Sequence, residues 1–168
     1  MTSPLHDAFA HHIWATLRLI DACGELEPQQ LATGAPGTYG SILLTLRHLV
    51  EADCSYLSVT SDGRRPMIEA DEMELPELRA IIEENGAAWS SLLEDDPDPD
   101  RWQVRHRDDG SETHATVGIR LAQALHHGTD HRSQVCTALT MLGIEPPDID
   151  AWEYGIAQGR VRRTEPTA

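Results

Sequence analysis

The sequence predicts an all-α protein built as a four-helix bundle. Two observations predict it. Four stretches carry apolar residues at the three-and-four spacing of a helix face, separated by connections rich in Pro, Gly and Asp. β-compatible texture is confined to one short segment, residues 101–118. Four long amphipathic helices bury their stripes most simply against one another. The chain has 168 residues, 40% of them hydrophobic, which predicts one globular domain over 1–168 with a core that needs no staples. Aromatics supply only 5%, so that core rests on Leu, Ile, Val and Ala.

The first helix is expected from Pro4 to about Glu25. Ser3 can cap it and Pro4 suits the first helical position. Phe9, Ile13, Leu17 and Ile20 form its stripe, with Trp14 flanking and His12 beside it; His12 is read as a satisfied core or boundary histidine and His6 as surface. Residues 28–40 read as a loop. Ser41 opens the second helix, which runs to about Ser61 with Ile42, Leu46, Leu49, Val50 and Leu57 inward. Beside that stripe lies a second one of small or polar residues, Ser41, Thr45, His48, Ala52 and Ser55. It reads as a helix boundary facing water or as the wall of a cavity with room around one imidazole.

Asp62-Gly63 ends this helix, and residues 62–75 form a long connection. The third helix starts near Pro76 and buries Leu78, Ile81, Ile82, Ala88, Trp89, Leu92 and Leu93, with Asn85 on the same face as a core hydrogen-bonder or a pocket residue, the structural role preferred. An Asp- and Pro-rich turn at 95–100 stops it. Asp109-Gly110, flanked by β-compatible residues, marks a short hairpin or irregular excursion in which His106 and His114 are exposed. The fourth helix spans Ile119–Leu142. Gly143 caps its C-terminus and Pro146-Pro147 forbids continuation. A last short helix follows, with Trp152 and Tyr154 packing it against the bundle or covering a pocket.

The balance of 13 basic against 28 acidic residues gives a net charge of −15. With no basic patch, nucleic acid and anionic membrane are disfavoured as partners. No run approaches the roughly 18–20 apolar residues of a membrane span. The N-terminal MTSPLHDAFAHHIW has no apolar leader core. Cys23, Cys54 and Cys136 are odd in number and widely spaced. Free thiols are expected, and with them a reducing, cytoplasmic setting.

Chemistry concentrates in the fourth helix. His127 and His131 lie four residues apart, so their side chains share one face about 5–6 Å apart. That face continues through Ala124, Val135 and Ala138. Two imidazoles on a small apolar stripe need partners. They are either core histidines bonded to carbonyls or carboxylates, or ligands of one divalent metal. A third ligand would have to come from elsewhere, and His48 on its stripe of small residues supplies the missing nitrogen.

Taken in order, several short motifs resemble the DinB family. They are Trp14-Ala15-Thr16 with Arg18-Leu19, Gly37-Thr38-Tyr39-Gly40-Ser41-Ile42, His48 followed by Ala52-Asp53, His127-x-x-x-His131-Arg132-x-Gln134, and Leu142-Gly143 before Pro146-Pro147. Ser133 departs from the Gly found in many relatives, small for small. The resemblance implies an up-down-down-up bundle with a long crossover between helices two and three. It implies a metal triad of His48, His127 and His131, with zinc or nickel as the divalent ion, and a homodimer. Relatives of known activity are thiol transferases and isomerases dependent on bacillithiol, mycothiol or glutathione.

Three neutral histidines leave coordination positions open, the mark of a catalytic rather than a structural site. The leading expectation is a metal-dependent S-transferase joining a low-molecular-weight thiol to an electrophile. The alternatives are a hydrolase of a small substrate using metal-activated water, and a non-enzymatic metal-binding bundle. No His-Glu-x-x-His pattern is present, which removes the metalloprotease arrangement. A carboxylate that orients a ligand is expected in such sites, and Asp53, one turn beyond His48 and slightly off its face, is the candidate; its other reading is a helix-face or dimer-interface charge. Asp130 lies about 100° round the helix from His131 and is expected to point elsewhere.

Overall fold

The computed structural model describes residues 3–107 and 109–164. Among these, six helices and one two-stranded antiparallel hairpin alternate: α1 (Pro4–Cys23), α2 (Pro28–Leu31), α3 (Ile42–Thr60), α4 (Leu75–Glu94), β1 (Trp102–His106), β2 (Glu112–Thr116), α5 (Val117–Met141) and α6 (Ala151–Ala157). The all-α class is therefore corrected to mostly helical. Residues 102–106 and 112–116 pair in register, Trp102 opposite Thr116 and His106 opposite Glu112. β-Branched and aromatic side chains on either side of the Asp109-Gly110 turn outweigh helix propensity there, and Gly110 takes the positive φ of 81° that the turn requires.

The helix ends follow their caps. Ser3 accepts from the His6 backbone N–H and precedes Pro4 at the first helical position. Ser41 accepts from the Leu44 N–H. Glu74 and Glu77 close a capping box at the start of α4. Gly143, at φ 73°, terminates α5. One element escaped the sequence reading. Pro28 and a reciprocal Glu27–Gln30 capping box wind a single helical turn into the expected loop.

The four long helices pack as a ring of neighbours: α1 against α4 and α5, and α3 against α4 and α5. Leu19, Leu46, Val50, Leu57, Leu78, Ile82, Trp89 and Leu139 are buried where they meet. The hairpin rests on α3 and α5, and α6 rests on α1. In α6, Tyr154 packs edge-on against His11 and Trp14, with ring centroids 5.8 and 5.5 Å away. Trp152, expected to pack against the bundle or to cover a pocket, is 68% exposed and lines a cavity together with His11, His12 and Tyr154. Seven residues of helix offer one inward face, and Tyr154 and Gly155 take it. No described helix is long and apolar enough to cross a membrane.

Candidate metal centre

α3 and α5 run in opposite directions along their contact. His48 meets His131, and eight residues further along α3 the Tyr56 hydroxyl accepts from Gln123 Nε2 at 3.4 Å. This crossing brings His48 to the two α5 histidines. One ligating nitrogen from each of His48, His127 and His131 lies within 4.8 Å of the others. The ring centroids are 5.0 Å apart for His48–His127, 4.8 Å for His48–His131 and 4.4 Å for His127–His131. Ala124, Val135 and Ala138 line the same face of α5 and are buried, while His131 is 8% exposed.

Burial disfavours the charged form of two of these rings, His48 and His127. Burial depresses the His48 pKa, with help from His131. Burial followed by the neighbouring His131 and His48 pushes His127 down to about 4. At neutral pH both rings are uncharged. Their Nε2 atoms nevertheless face each other at 3.1 Å. Four-coordinate zinc, with Zn–N of about 2.0–2.1 Å, sets its nitrogens about 3.4 Å apart. The His48–His127 separation, the donor type and the lowered pKa values of those two rings thus fit a divalent ion held by imidazole nitrogens.

His131 is oriented by Gln134, one helical turn on. Gln134 Oε1 accepts the Tyr39 backbone N–H at 2.8 Å and lies 3.2 Å from His131 Nδ1. The backbone donor fixes which end of the amide is the oxygen. His131 must then carry its proton on Nδ1, which leaves the Nε2 lone pair for a ligand. Tyr39 is anchored by the same contact. Its ring stacks on His48 at 4.0 Å and 12°, and stands edge-on to His131 at 5.5 Å. On the other side the Tyr56 ring stands edge-on to His127 at 5.6 Å. Two tyrosines therefore wall the triad, Tyr39 from the 34–41 loop and Tyr56 from α3.

Asp53 sits elsewhere. Position 53 lies about 140° round α3 from position 48, so the side chain enters the core rather than the α3–α5 seam. It is 2% exposed. Its carboxylate accepts from Asn85 Nδ2 at 2.8 Å and from His12 Nε2 and Trp89 Nε1 at 3.1 Å, and none of its hydrogen bonds reaches the three histidines. His12 is the satisfied core histidine expected of it, and Asn85 the core hydrogen-bonder. Asp130 is exposed, as are His106 and His114, both of which pair with Glu112. Ser55, last of the small stripe on α3, is buried with a hydroxyl that has no partner among the described residues.

The sequence reading missed the site roles of Gln134 and Tyr39. Gln134 carried a signal: it follows His131 by three residues, the spacing at which helix side chains meet. Tyr39 carried none of its own, because its place over His48 depends on the fold of the preceding loop. There Thr38 Oγ1 donates to the Ala35 and Gly40 carbonyls.

A comparison with curated proteins finds no match. The family model described as DinB family matches residues 1–164, nearly the whole length and every motif around the three imidazoles, and the chain belongs to that family.

Proposed function

We propose that His48, His127 and His131 hold one divalent metal ion, zinc or nickel, and that the protein is a metal-dependent S-transferase of the DinB family. The observation that carries the metal is the convergence of three nitrogens from two helices within 4.8 Å. When bound by these three histidines, a divalent ion would supply Lewis-acid activation of a thiol or water near neutral pH.

The chain's own groups do the rest. Gln134 holds the proton of His131 on Nδ1 and so aims Nε2 inward. Tyr39 and Tyr56 cover two sides of the triad with apolar ring surface, which limits water and favours a partner with an apolar body. In the proposed reaction the sulfur of a low-molecular-weight thiol forms a bond to an electrophilic carbon. The thiol proton passes to solvent, and the leaving group departs with its electron pair. The proposal includes one bundle domain of up-down-down-up topology, with residues 62–75 as its crossover, assembled as a cytoplasmic homodimer.

Metal content of the purified, metal-repleted protein is the first test. Wild type is expected to hold one ion per chain and His127→Ala none. The loaded protein is then given glutathione, bacillithiol or mycothiol with monochlorobimane. Thiol conjugation that disappears in His48→Ala supports the transferase. Hydrolysis of small esters without thiol supports water activation instead, and metal uptake without turnover supports a binding protein.

A further inference from the structure

We infer that a buried chain of hydrogen bonds, Arg132–His12–Asp53, sets the spacing between α3 and α5 on which the convergence of the three imidazoles depends. This inference rests on the metal reading of the site. It makes His12 a positioning residue for a centre it does not touch.

Two residues of α5 that meet His12 each follow one of the site histidines. Arg132 follows His131 on α5, and Gly128 follows His127. One residue is about 100° of helix, so 127 and 131 face α3 while 128 and 132 face α1. There Arg132, 3% exposed, donates from NH1 to His12 Nδ1 at 2.8 Å and to Thr16 Oγ1 at 3.1 Å, and from NH2 to Thr129 Oγ1 at 3.2 Å. An arginine only donates. His12 Nδ1 must therefore accept, and His12 Nε2 must carry the proton that it gives to Asp53 Oδ1 at 3.1 Å. Asp53 takes two further donors from α4, Asn85 and Trp89. The chain thus crosses all four long helices with a single permitted direction of donation.

Its two ends are a buried cation and a buried anion. Among the described residues no opposite charge lies within salt-bridge distance of Arg132, and Asp53 has His12 alone. Among the described residues the imidazole is the only hydrogen-bonded link between them, and it is 1% exposed. Leucine and isoleucine contacts tolerate a small slide of one helix past another. This chain does not, because a slide of any of the three helices strands a charge in the core. The α5 backbone is shaped for it as well. A Cβ at Gly128 would lie 2.3 Å from His12 Cε1 and 2.6 Å from Nδ1, so the ring seats directly on the turn that carries His127.

The test measures zinc affinity by competition with a chromophoric chelator. It uses wild type, His12→Phe, Asp53→Asn and a control, Leu19→Ala, which opens the α1 core without touching the chain. Unfolding midpoints are measured alongside. His12→Phe and Asp53→Asn are expected to bind zinc at least tenfold more weakly. Leu19→Ala, destabilised to a similar degree, is expected to stay within about twofold of wild type. Should His12→Phe fail to fold, Asp53→Asn carries the comparison. Equal affinity in wild type and the chain variants overturns the inference and leaves the metal site standing, as does an equal loss in Leu19→Ala. Absence of zinc from wild type overturns both.

Discussion

Gln134 Oε1 lies 3.2 Å from His131 Nδ1 and accepts the Tyr39 N–H at 2.8 Å, so one amide oxygen ties the tautomer of His131 to the loop that covers the three histidines. Partners that orient a metal-bound histidine typically account for about 10–100-fold in metal affinity. Gln134→Ala is expected to lose an amount in that range. Gln134→Glu keeps an acceptor for both donors and should retain most of the affinity. Zinc competition on the three proteins measures both. An unchanged Gln134→Ala would remove this amide from the site.

The metal-free protein should lose stability in mild acid through His127. Its pKa falls from the ordinary 6.5 to about 4 on folding, chiefly because the ring is buried. The unfolded chain therefore binds the proton more readily than the folded one. The contribution is fully present above pH 6.5 and is lost as the pH falls toward about 4. His48 shifts in the same direction. Asp7, Asp62 and Asp109 are held below 3.8 and act at lower pH, outside this window. Melting temperatures of chelator-treated protein between pH 7 and 4 should decline in wild type. In His127→Gln the decline should be shallower.

The sequence carried the helices because their stripes repeat at helical spacing and their ends bear Ser3, Ser41, Glu74 and Gly143 as caps. It carried the histidine pair because four residues is one helical turn. His48 was legible through its small neighbours, since the α3 stripe lies on a face distinct from the leucines. Asp53 is one turn beyond His48 along α3, but its spatial partners are not legible from that spacing. Five residues turn a helical side chain well away from its starting direction, and the partners that claim it, His12, Asn85 and Trp89, come from two other helices. Tyr39 was beyond reach for the same reason. A loop residue's neighbours are set by tertiary contacts that no local period encodes.

Trp89 offers a test of the core polar network apart from metal. It is 1% exposed, packs at a 39° tilt against Phe9 with centroids 4.5 Å apart, and gives its Nε1 proton to Asp53. Trp89→Phe keeps an aromatic ring beside Phe9 and withdraws one donor from a buried carboxylate. Hydrogen bonds to charged groups contribute about 1.5–3 kcal/mol, and lost ring area adds to that. Urea denaturation should show a lower midpoint with an unchanged m-value. A midpoint equal to wild type would mean that Asn85 and His12 satisfy Asp53 by themselves.

Gly128 separates helix propensity from packing. Glycine inside a helix costs about 1 kcal/mol relative to alanine, so at an open position Gly→Ala stabilises. Position 128 is closed. The new methyl would stand 2.3 Å from His12 Cε1, 2.6 Å from Nδ1 and 3.0 Å from Arg132 NH1. His12 cannot retreat without losing Asp53, and Arg132 cannot retreat without losing His12. Overpacking of this kind costs about 1–3 kcal/mol, which exceeds the gain in propensity. Gly128→Ala should therefore unfold at lower urea than wild type, and its zinc affinity should fall with it because the displaced turn carries His127. As a control, Ala replaces the exposed Asp130 two residues along the same helix, where no core contact is disturbed. That protein should be no less stable than wild type. A Gly128→Ala protein more stable than wild type would show that His12 has room to move, and that its place against α5 is not fixed by the backbone.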